Sequence, residues 1–286
     1  MSVTLRAPDR SNAARKVLNC HDIISLIMRH LPLHDILDNA SNVNNVFRVE
    51  AKHTAVSRFF SITCPYVGNH VHSLKDLLRE NRSIIVGSCA LKMMLPEQSW
   101  TPKNLNIIVP RNSINIFFMF FNSRGYSPTQ KPVSPHLRSY ASRLFTCEHQ
   151  DRPPVTLMES IDDSVLTPFL AASCTAEFTC MTGGGLACMY PTQTFARLAL
   201  HSPRNGNMQS VCTSLVERGF IVKSTSDHLP HDICPLTWRR VHGLRGIWVK
   251  NWSNVDSAVD VFIGEHHRWR LGIHCTNPTC TARNPF

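Results

Sequence analysis

The sequence predicts an α+β fold, in which a small N-terminal helical module precedes a mixed α/β sheet domain. Residues 18–60 carry apolar side chains at helical spacing, and no glycine occurs before position 68. From about residue 83, short β-branched runs alternate with helical segments, a pattern typical of a mixed sheet. A chain of 286 residues, 43% of them apolar, can bury one large core or two smaller ones. We therefore expect a helical module at 1–60, a sheet domain at 61–245 and a C-terminal extension at 246–286.

Three short helices are predicted in the module. Apolar residues from Ile23 to Leu31 recur at helical spacing, and Asp22 or the asparagine before Cys20 can cap that helix. Pro32 interrupts the pattern, because proline has no backbone N–H to donate. A second short helix is expected from Asp35, and a third from about residue 44.

The sheet domain is predicted from alternating strand and helix signals. Strands are expected at 83–86, 106–110, 155–159 and 177–181, and helices at 89–95, 114–124 and 164–173. The polar, proline-containing segment 124–154 is predicted to be a long loop. Gly183–Gly185 lies between two apolar runs, which indicates a hairpin turn at positive φ angles. No helix start with Lys-Ser or Lys-Thr follows these glycines, so a P-loop is excluded.

The charge of the chain is positive but dispersed. Thirty Lys and Arg against twenty Asp and Glu give a formal charge of +10, yet no run of five basic residues occurs. Such a surplus is more typical of a solvated surface than of a nucleic-acid site. Basic and aromatic residues interleave from Arg239 to Trp252, so nucleic-acid binding stays open as a weaker alternative.

No membrane segment is expected. The densest apolar stretch, Ile114–Phe121, is far shorter than the roughly 20 residues that a bilayer requires. The first sixteen residues are polar and lack the apolar core of a signal peptide. The eleven cysteines are odd in number and mostly lie among apolar residues, which indicates reduced thiols in the cytoplasm or nucleus.

The string DIISLIMRHLPLHDILDNASNVNNVFRVEA resembles an F-box. Its helix, Leu-Pro turn, Asp-Ile-Leu segment and Val-to-Phe-Arg segment follow the family pattern, although Leu18-Asn19 replaces the usual opening Leu-Pro. The resemblance implies docking on a Skp-type adaptor of a cullin–RING ubiquitin ligase through an apolar helical face. The residues that would form this face are Ile23, Ile27, Leu31, Pro32, Leu33, Ile36 and Leu37. The alternative is a plain three-helix cap packed on the following domain.

The strings IIVGSCALKMML and WTPKNLNIIVP resemble the nucleotidyltransferase (polymerase-beta-like) family. In that family a strand ends in Gly-Ser at a helix start, the next strand carries Asp-x-Asp, and a later strand carries a third acid. The resemblance implies that Gly87 would approach a triphosphate and Ser88 would hold its oxygens. The Asp-x-Asp positions hold Asn104 and Asn106, and Glu159 is the candidate third acid. The chain as a whole also resembles uncharacterised fungal proteins that combine these two parts.

Amides at these positions change the expected chemistry. Asn104 and Asn106 carry no charge, whereas Mg²⁺ beside phosphates is held by carboxylates. We therefore expect a degenerate, non-catalytic domain without a cofactor, acting as an interaction protein that recruits an unknown protein substrate. Nucleotide binding without metal remains open through Ser88, Lys92 and Lys103, of which Lys92 follows Ser88 by one helical turn. The alternative is an active enzyme with displaced acids at Glu159 or in the Asp162-Asp163 pair, although those two more simply cap the next helix.

The C-terminal tail contains residues that can bind zinc. His274, Cys275 and Cys280 could supply three ligands, with the fourth from Cys234, His231 or His228. No C-x2-C pair accompanies them, so a packed or solvated tail is the favoured alternative.

Overall fold

The computed structural model describes residues 18, 20–96, 99–201, 209–224, 239–240, 246–252 and 268–271. Within these ranges helices come first and an eight-stranded mixed sheet follows, which confirms the α+β class. The α-helices are α1 (His21–His30), α2 (Asn45–Val67), α3 (Val71–Glu80), α4 (Ser88–Met94), α5 (Ile114–Asn122), α6 (Leu166–Phe169), α7 (Pro191–Phe195) and α8 (Gln209–Glu217). A π-helical turn (Asp35–Asn39) and 3₁₀ turns connect them, the latter at Ala40–Asn42, Gly68–His70, Pro135–Leu137 and Thr175–Glu177.

The strands are β1 (Ile84–Val86), β2 (Leu105–Val109), β3 (Ser127–Lys131), β4 (Ala141–Glu148), β5 (Val155–Ser160), β6 (Thr179–Met181), β7 (Gly185–Cys188), β8 (Leu198–Leu200), β9 (Ile221–Lys223), β10 (Arg239–Arg240), β11 (Trp248–Asn251) and β12 (Arg268–Trp269). The main sheet has the order β11-β7-β6-β1-β2-β5-β4-β3. Its β2–β5 pair is parallel, and its other described pairs are antiparallel. Two small sheets, β10–β12 and β8–β9, lie beside it.

The strand alternation divides the sheet into two covered faces. On one, the helix-side face, Leu105, Ile107 and Val109 join a core that includes residues of α1, α2 and α3. On the other, the cleft face, Ile84 and Ile108 join a second core around Phe169 and Phe178. Residues at alternate positions of one strand therefore serve different cores.

Helix α2 passes through the boundary predicted at residue 60. Asn44 caps its start by accepting the backbone N–H of Phe47 at 2.9 Å, and it ends at Gly68, whose φ is +58°. Its buried apolar residues, among them Phe59, belong to the same core as the helix-side face of the sheet. The N-terminal helices and the sheet thus share one hydrophobic core.

The segment between α1 and α2 is buried against the sheet domain. Leu33, Ile36 and Leu37 are buried in the shared core, whereas the F-box resemblance implied that they would face a partner. The physical reason is that the shared core, which helices and sheet enclose together, offers these side chains an apolar surface within the chain itself. Leu31 and Pro32 are half-buried.

A polar contact joins the same segment to the edge strand β11. The Asp38 carboxylate accepts Trp248 Nε1–H at 2.6 Å and pairs with Lys250 Nζ at 2.5 Å. Beside it, the His34 ring lies 3.8 Å from the Phe195 ring, which meets Trp248 edge-on. These side chains hold the connection between α1 and α2 against the far edge of the sheet.

The segment predicted as a loop at 124–154 forms β3 and β4 instead. All five residues of β3 are exposed, because this strand is the outermost of the sheet and covers no core. Its polar sequence therefore lacked the apolar alternation from which strands are predicted. The helix predicted at 164–173 is reduced to α6, which contains Pro168.

The hairpin predicted at Gly183–Gly185 is confirmed, but for a different reason. No positive φ occurs at any of the three glycines. A Cβ on Gly183 would instead lie 2.3 Å from the backbone oxygen of Lys75, at α3. Glycine is required here because the hairpin touches a helix backbone.

None of the described helices is both long and apolar enough to cross a bilayer.

We expect Asp38→Ala to lower the free energy of unfolding by about 1–3 kcal/mol, because it removes two charge-assisted contacts and leaves Trp248 Nε1 without its acceptor. Asp76→Ala is the matched control, since Asp76 pairs with Arg79 at the surface of α3 and should cost less than about 0.5 kcal/mol. Urea denaturation of both variants measures the difference. Equal losses would show that Asp38 does not join the two parts of the chain.

Candidate functional site: a cleft beside β1, β2 and β5

Two adjoining cavities of about 470 and 460 Å³ open on the cleft face of the sheet. Together they form the cleft. Five lining residues belong to both cavities, which makes the space continuous: Gly87, Asn104, Asn106, Glu177 and Val211. Cavities of this size are typical of small-molecule sites.

The larger cavity, the apolar chamber, is lined mostly by hydrocarbon. Its walls come from β1, β2, β4, β5 and α6, and include Val86, Ile108, Leu144, Met158 and Phe169. His136, Thr156 and Ser173 add a few polar groups. An apolar wall with few polar atoms suits a flat, weakly polar ring.

The smaller cavity, the polar chamber, is lined by serine hydroxyls, one guanidinium and the Glu177 carboxylate, together with the apolar side chains of Leu91, Val211 and Leu215. Ser88 comes from α4, Ser210 and Ser214 come from α8, and Arg218 follows α8. Burial lowers the pKa of Arg218, although Glu217 and Glu177 raise it. This chamber suits the polar or anionic part of a ligand.

Gly87 connects β1 to α4 in a conformation that requires glycine. Its φ is +73°, and a Cβ there would lie 2.9 Å from Asn106 Nδ2. The turn therefore brings backbone directly against the amide of Asn106.

Asn104 and Asn106 form the centre of the cleft. Asn104 Nδ2 donates to Asn106 Oδ1 at 2.7 Å and lies 3.5 Å from Thr156 Oγ1. The parallel register pairs Asn106 with Thr156, so both polar side chains emerge on the cleft face. The two amides hold each other in place where the resemblance would put two carboxylates.

Glu177 is the single carboxylate among the described residues that line the cleft. It ends the 3₁₀ turn before β6 and is half-buried. Burial raises the pKa of its carboxyl, an effect that hydrogen bonds from the Ser173 N–H and hydroxyl, both at 3.3 Å, only partly offset. The sequence predicts only a strand start at residue 177 and no role for Arg218, because no local motif marks either residue as part of a site.

Glu159 does not lie in the cleft. It belongs to the helix-side face, because Thr156 and Met158 occupy the cleft-face positions of β5. Burial would raise the pKa of its carboxyl, but the bidentate Arg143 guanidinium at 2.7 and 2.8 Å, Ser142 and the Asn112 N–H hold that pKa below its ordinary value. Glu159 is thus a structural anion between adjacent strands.

Lys92 also lies outside the cleft. Its ammonium donates to the Pro96 oxygen at 3.2 Å and lies 5.1 Å from the centre of the Trp100 ring. These contacts draw the side chain past the C-terminal end of α4, away from Ser88 at the other end. Burial lowers the pKa of Lys92.

Asp162 stabilises the turn before α6. Its carboxylate accepts the Ser164 N–H at 3.0 Å and the Thr167 hydroxyl at 2.8 Å. Neither Asp162 nor Asp163 lines the cleft. The N-cap residue of α6 is Val165, and no side chain caps that helix, so Asp162 holds the preceding turn and the capping role expected for the pair is not found.

The remaining candidates divide between structural residues and positions that are not described. Trp252 is buried against Phe59, and Trp248 and Lys250 hold Asp38, so these members of the basic aromatic stretch support the fold. His274, Cys275 and Cys280, with their proposed fourth ligands, lie outside the described residues. Among the residues that are described, no group of three or more His, Cys, Asp or Glu is placed to hold a metal ion.

Comparison of the chain with protein-family models, with curated proteins and with solved structures finds no match.

We expect Glu159→Gln to lower the free energy of unfolding by about 1.5–3 kcal/mol at neutral pH, because it weakens the charge-assisted bonds from Arg143. The lowered pKa means that this stabilisation is present above the pKa of an unfolded glutamate, about 4.3, and is lost as pH falls through the lower folded pKa. The difference between wild type and variant should therefore shrink in acid.

Denaturation at several pH values measures that difference. Glu148→Gln is the control, since Glu148 is exposed at the end of β4. If the cost of Glu159→Gln did not change between pH 7 and pH 3, the ion pair would not be its cause.

Proposed function

We propose that the protein is a non-catalytic binding protein, built on a degenerate nucleotidyltransferase-like domain whose cleft holds a nucleotide without two-metal chemistry. The observation that carries this proposal is the bonded pair Asn104–Asn106 at the centre of the cleft. An amide pair accepts and donates hydrogen bonds but supplies no charge to a cation.

The course of the chain around the cleft supports the nucleotidyltransferase-like part of the proposal. Strand β1 ends in Gly87-Ser88, α4 follows, and β2 returns antiparallel to β1 with the two asparagines. Strand β5 then lies parallel to β2 on its other side. This order of strand, Gly-Ser, helix and return strand is the pattern on which the resemblance is based.

The charges around the cleft favour binding over catalysis. Two-metal nucleotidyl transfer needs several carboxylates to hold the ions beside a triphosphate. The described lining contains one carboxylate, Glu177, and burial raises the pKa of that carboxyl. The acids of the alternative hypothesis do not add metal ligands to the cleft, since Glu159 is bound by Arg143 on the opposite face and Asp162 stabilises a turn.

The two chambers match the two parts of a nucleotide. The apolar chamber would take the base, beside Phe169 and Met158. The amides of Asn104 and Asn106 would bond the sugar or base edge at the junction. The serine hydroxyls and Arg218 of the polar chamber would face the phosphates.

We expect wild-type protein to bind a fluorescent ATP analogue equally well with Mg²⁺ and with EDTA, and to leave it intact. Asn106→Ala should weaken binding about tenfold, the equivalent of about 1.4 kcal/mol, because one side chain's hydrogen bonds are lost. Asn122→Ala, at the exposed end of α5, is the matched control and should not change the affinity. Mg²⁺-dependent turnover by the wild type would overturn the proposal, as would the absence of binding.

Restoring the family's acids gives a second test. We expect Asn104→Asp combined with Asn106→Asp to create Mg²⁺ affinity, because the two new carboxylates and Glu177 would then surround the junction. At a Mg²⁺ concentration one hundred times Kd, the ion should stabilise this variant by about 2.7 kcal/mol. Thermal unfolding with and without Mg²⁺ measures it, and a similar shift in the wild type would contradict the account of the amide pair.

A second function, recruitment of a Skp-type adaptor, is favoured by the exposed face of α1. Ile23, Leu26 and Ile27 are 39%, 57% and 50% exposed. Docking through Leu33, Ile36 and Leu37 as well would require their removal from the shared core, at about 1.5–3 kcal/mol each. We therefore place the adaptor surface on α1 alone, with the protein substrate bound elsewhere on the chain.

We expect full-length protein to retain a Skp-type adaptor in a pull-down, and Ile23→Glu combined with Ile27→Glu to reduce retention at least tenfold. Met119→Glu is the control, because Met119 is an exposed apolar residue on α5. Deleting residues 1–60 is unsuitable, since that would remove Phe59 and other core residues of α2. No retention by the wild type would leave the N-terminal helices as a packing cap.

A further inference from the structure

A second polar cavity, of about 360 Å³, lies between α1, α2 and the end of α4. It is called the basic cavity here. Ser25 and Arg29 line it from α1, Lys92 lines it from α4, and Pro96 closes one side. The residues from α2 are His53, Thr54, Ser57, Arg58, Ser61 and Ile62.

Helical spacing brings these side chains together. On α2, His53, Ser57 and Ser61 follow one another at intervals of four residues, and Thr54 and Arg58 form the adjacent row. On α1, Ser25 and Arg29 have the same spacing. Two neighbouring helices therefore present polar rows to one space, an arrangement that apolar packing between helices does not require.

The charge of the basic cavity is positive. Arg29, Arg58 and Lys92 line it, and no carboxylate does so among the described residues. Glu50 pairs with the lining residue His53, with 3.5 Å between Glu50 Oε1 and His53 Nδ1, but does not itself line the cavity. Three cations around a shared space repel one another, and a bound anion would remove that repulsion.

Two of the three cations are held in place by the fold. Arg58 is only 8% exposed, and its Nη2 donates to the oxygens of Met28 and Leu31 at the end of α1. Lys92 is held by the Pro96 oxygen and Trp100. Positioning of these groups by the fold lowers the entropy that a ligand must remove on binding.

Arg29 and two hydroxyls complete the donor set. Arg29 is exposed at the mouth of the cavity and forms no ion pair with any described residue. Ser25 and Ser57 lie on facing helices across the space. A guanidinium can bind two oxygens of one phosphate at once, and each hydroxyl can donate to a further oxygen.

We propose that the basic cavity binds the phosphate group of a small phosphorylated molecule. A phosphate carries more negative charge than a carboxylate and has three acceptor oxygens in a tetrahedral arrangement. Cations and hydroxyls that approach from three helices match that shape. The volume exceeds what a phosphate alone would fill, which leaves room for the organic group that carries it.

This site is separate from the cleft. None of the residues that line the basic cavity lines either chamber of the cleft. Lys92 lines the basic cavity and Arg218 lines the polar chamber of the cleft, and both cations contact the Trp100 ring. The inference does not rest on the proposed nucleotide binding and can fail independently of it.

Isothermal titration of the full chain with inorganic phosphate and with glucose 6-phosphate, at constant ionic strength in chloride, tests the proposal. We expect saturable binding of at least one of them. Arg29→Glu should weaken it at least tenfold, and so should Ser57→Asp, which places a carboxylate in the cavity at an exposed position. Tighter binding of glucose 6-phosphate would identify a phosphate monoester as the ligand, and equal or tighter binding of inorganic phosphate would identify the free anion.

Arg48→Glu is the matched control. Arg48 lies on α2, is exposed and does not line the cavity, so this variant changes the net charge equally and should alter the affinity less than twofold. Saturable binding by neither compound up to 10 mM would overturn the proposal. Equal weakening by Arg48→Glu and Arg29→Glu would also overturn it, and so would unchanged binding in both Arg29→Glu and Ser57→Asp, since the anion would then lie elsewhere.

Discussion

The hydrophobic core between helix α2 and the helix-side face of the sheet joins the N-terminal helices to the sheet and fixes where both cavities lie. Ala55 and Phe59 of α2 share this core with Ile107 of β2, so the N-terminal helices are part of the sheet domain's stability. Because that face of the sheet is filled by helices, ligands can reach β2 only from the other face. The same packing sets α2 beside α1 and α4, and so produces the basic cavity.

Alternation along two strands decides the chemistry of each face. Asn106 and Thr156 are neighbours across the parallel pair and line the cleft, whereas Glu159, on the same strand as Thr156, emerges behind the sheet. There it pairs with its cross-strand neighbour Arg143. A change of one residue in the register would exchange these positions, which is why burial of apolar residues on both faces also fixes where the polar side chains lie.

The predictions that succeeded rest on local signals. The β-branched runs at β1 and β2 and the glycine after β1 were readable because strand and turn preferences are short-range. Strand β3 was missed, because an exposed edge strand needs no apolar alternation. Glu177 and Arg218 were missed for another reason: they approach Asn104 from distant parts of the chain, and no local pattern records that approach.

From the sequence alone we could predict the α+β class, the Gly87-Ser88 turn and the pair of amides at the start of β2, since each depends on residues that are close along the chain. Which apolar residues remain exposed, and which cations lie around one cavity, depends instead on how distant elements pack. Leu33 and Ile27 belong to the same apolar pattern, yet Leu33 is buried in the shared core and Ile27 is half exposed. Burial is set by the surface that a residue meets, and that surface comes from elements far away in the sequence.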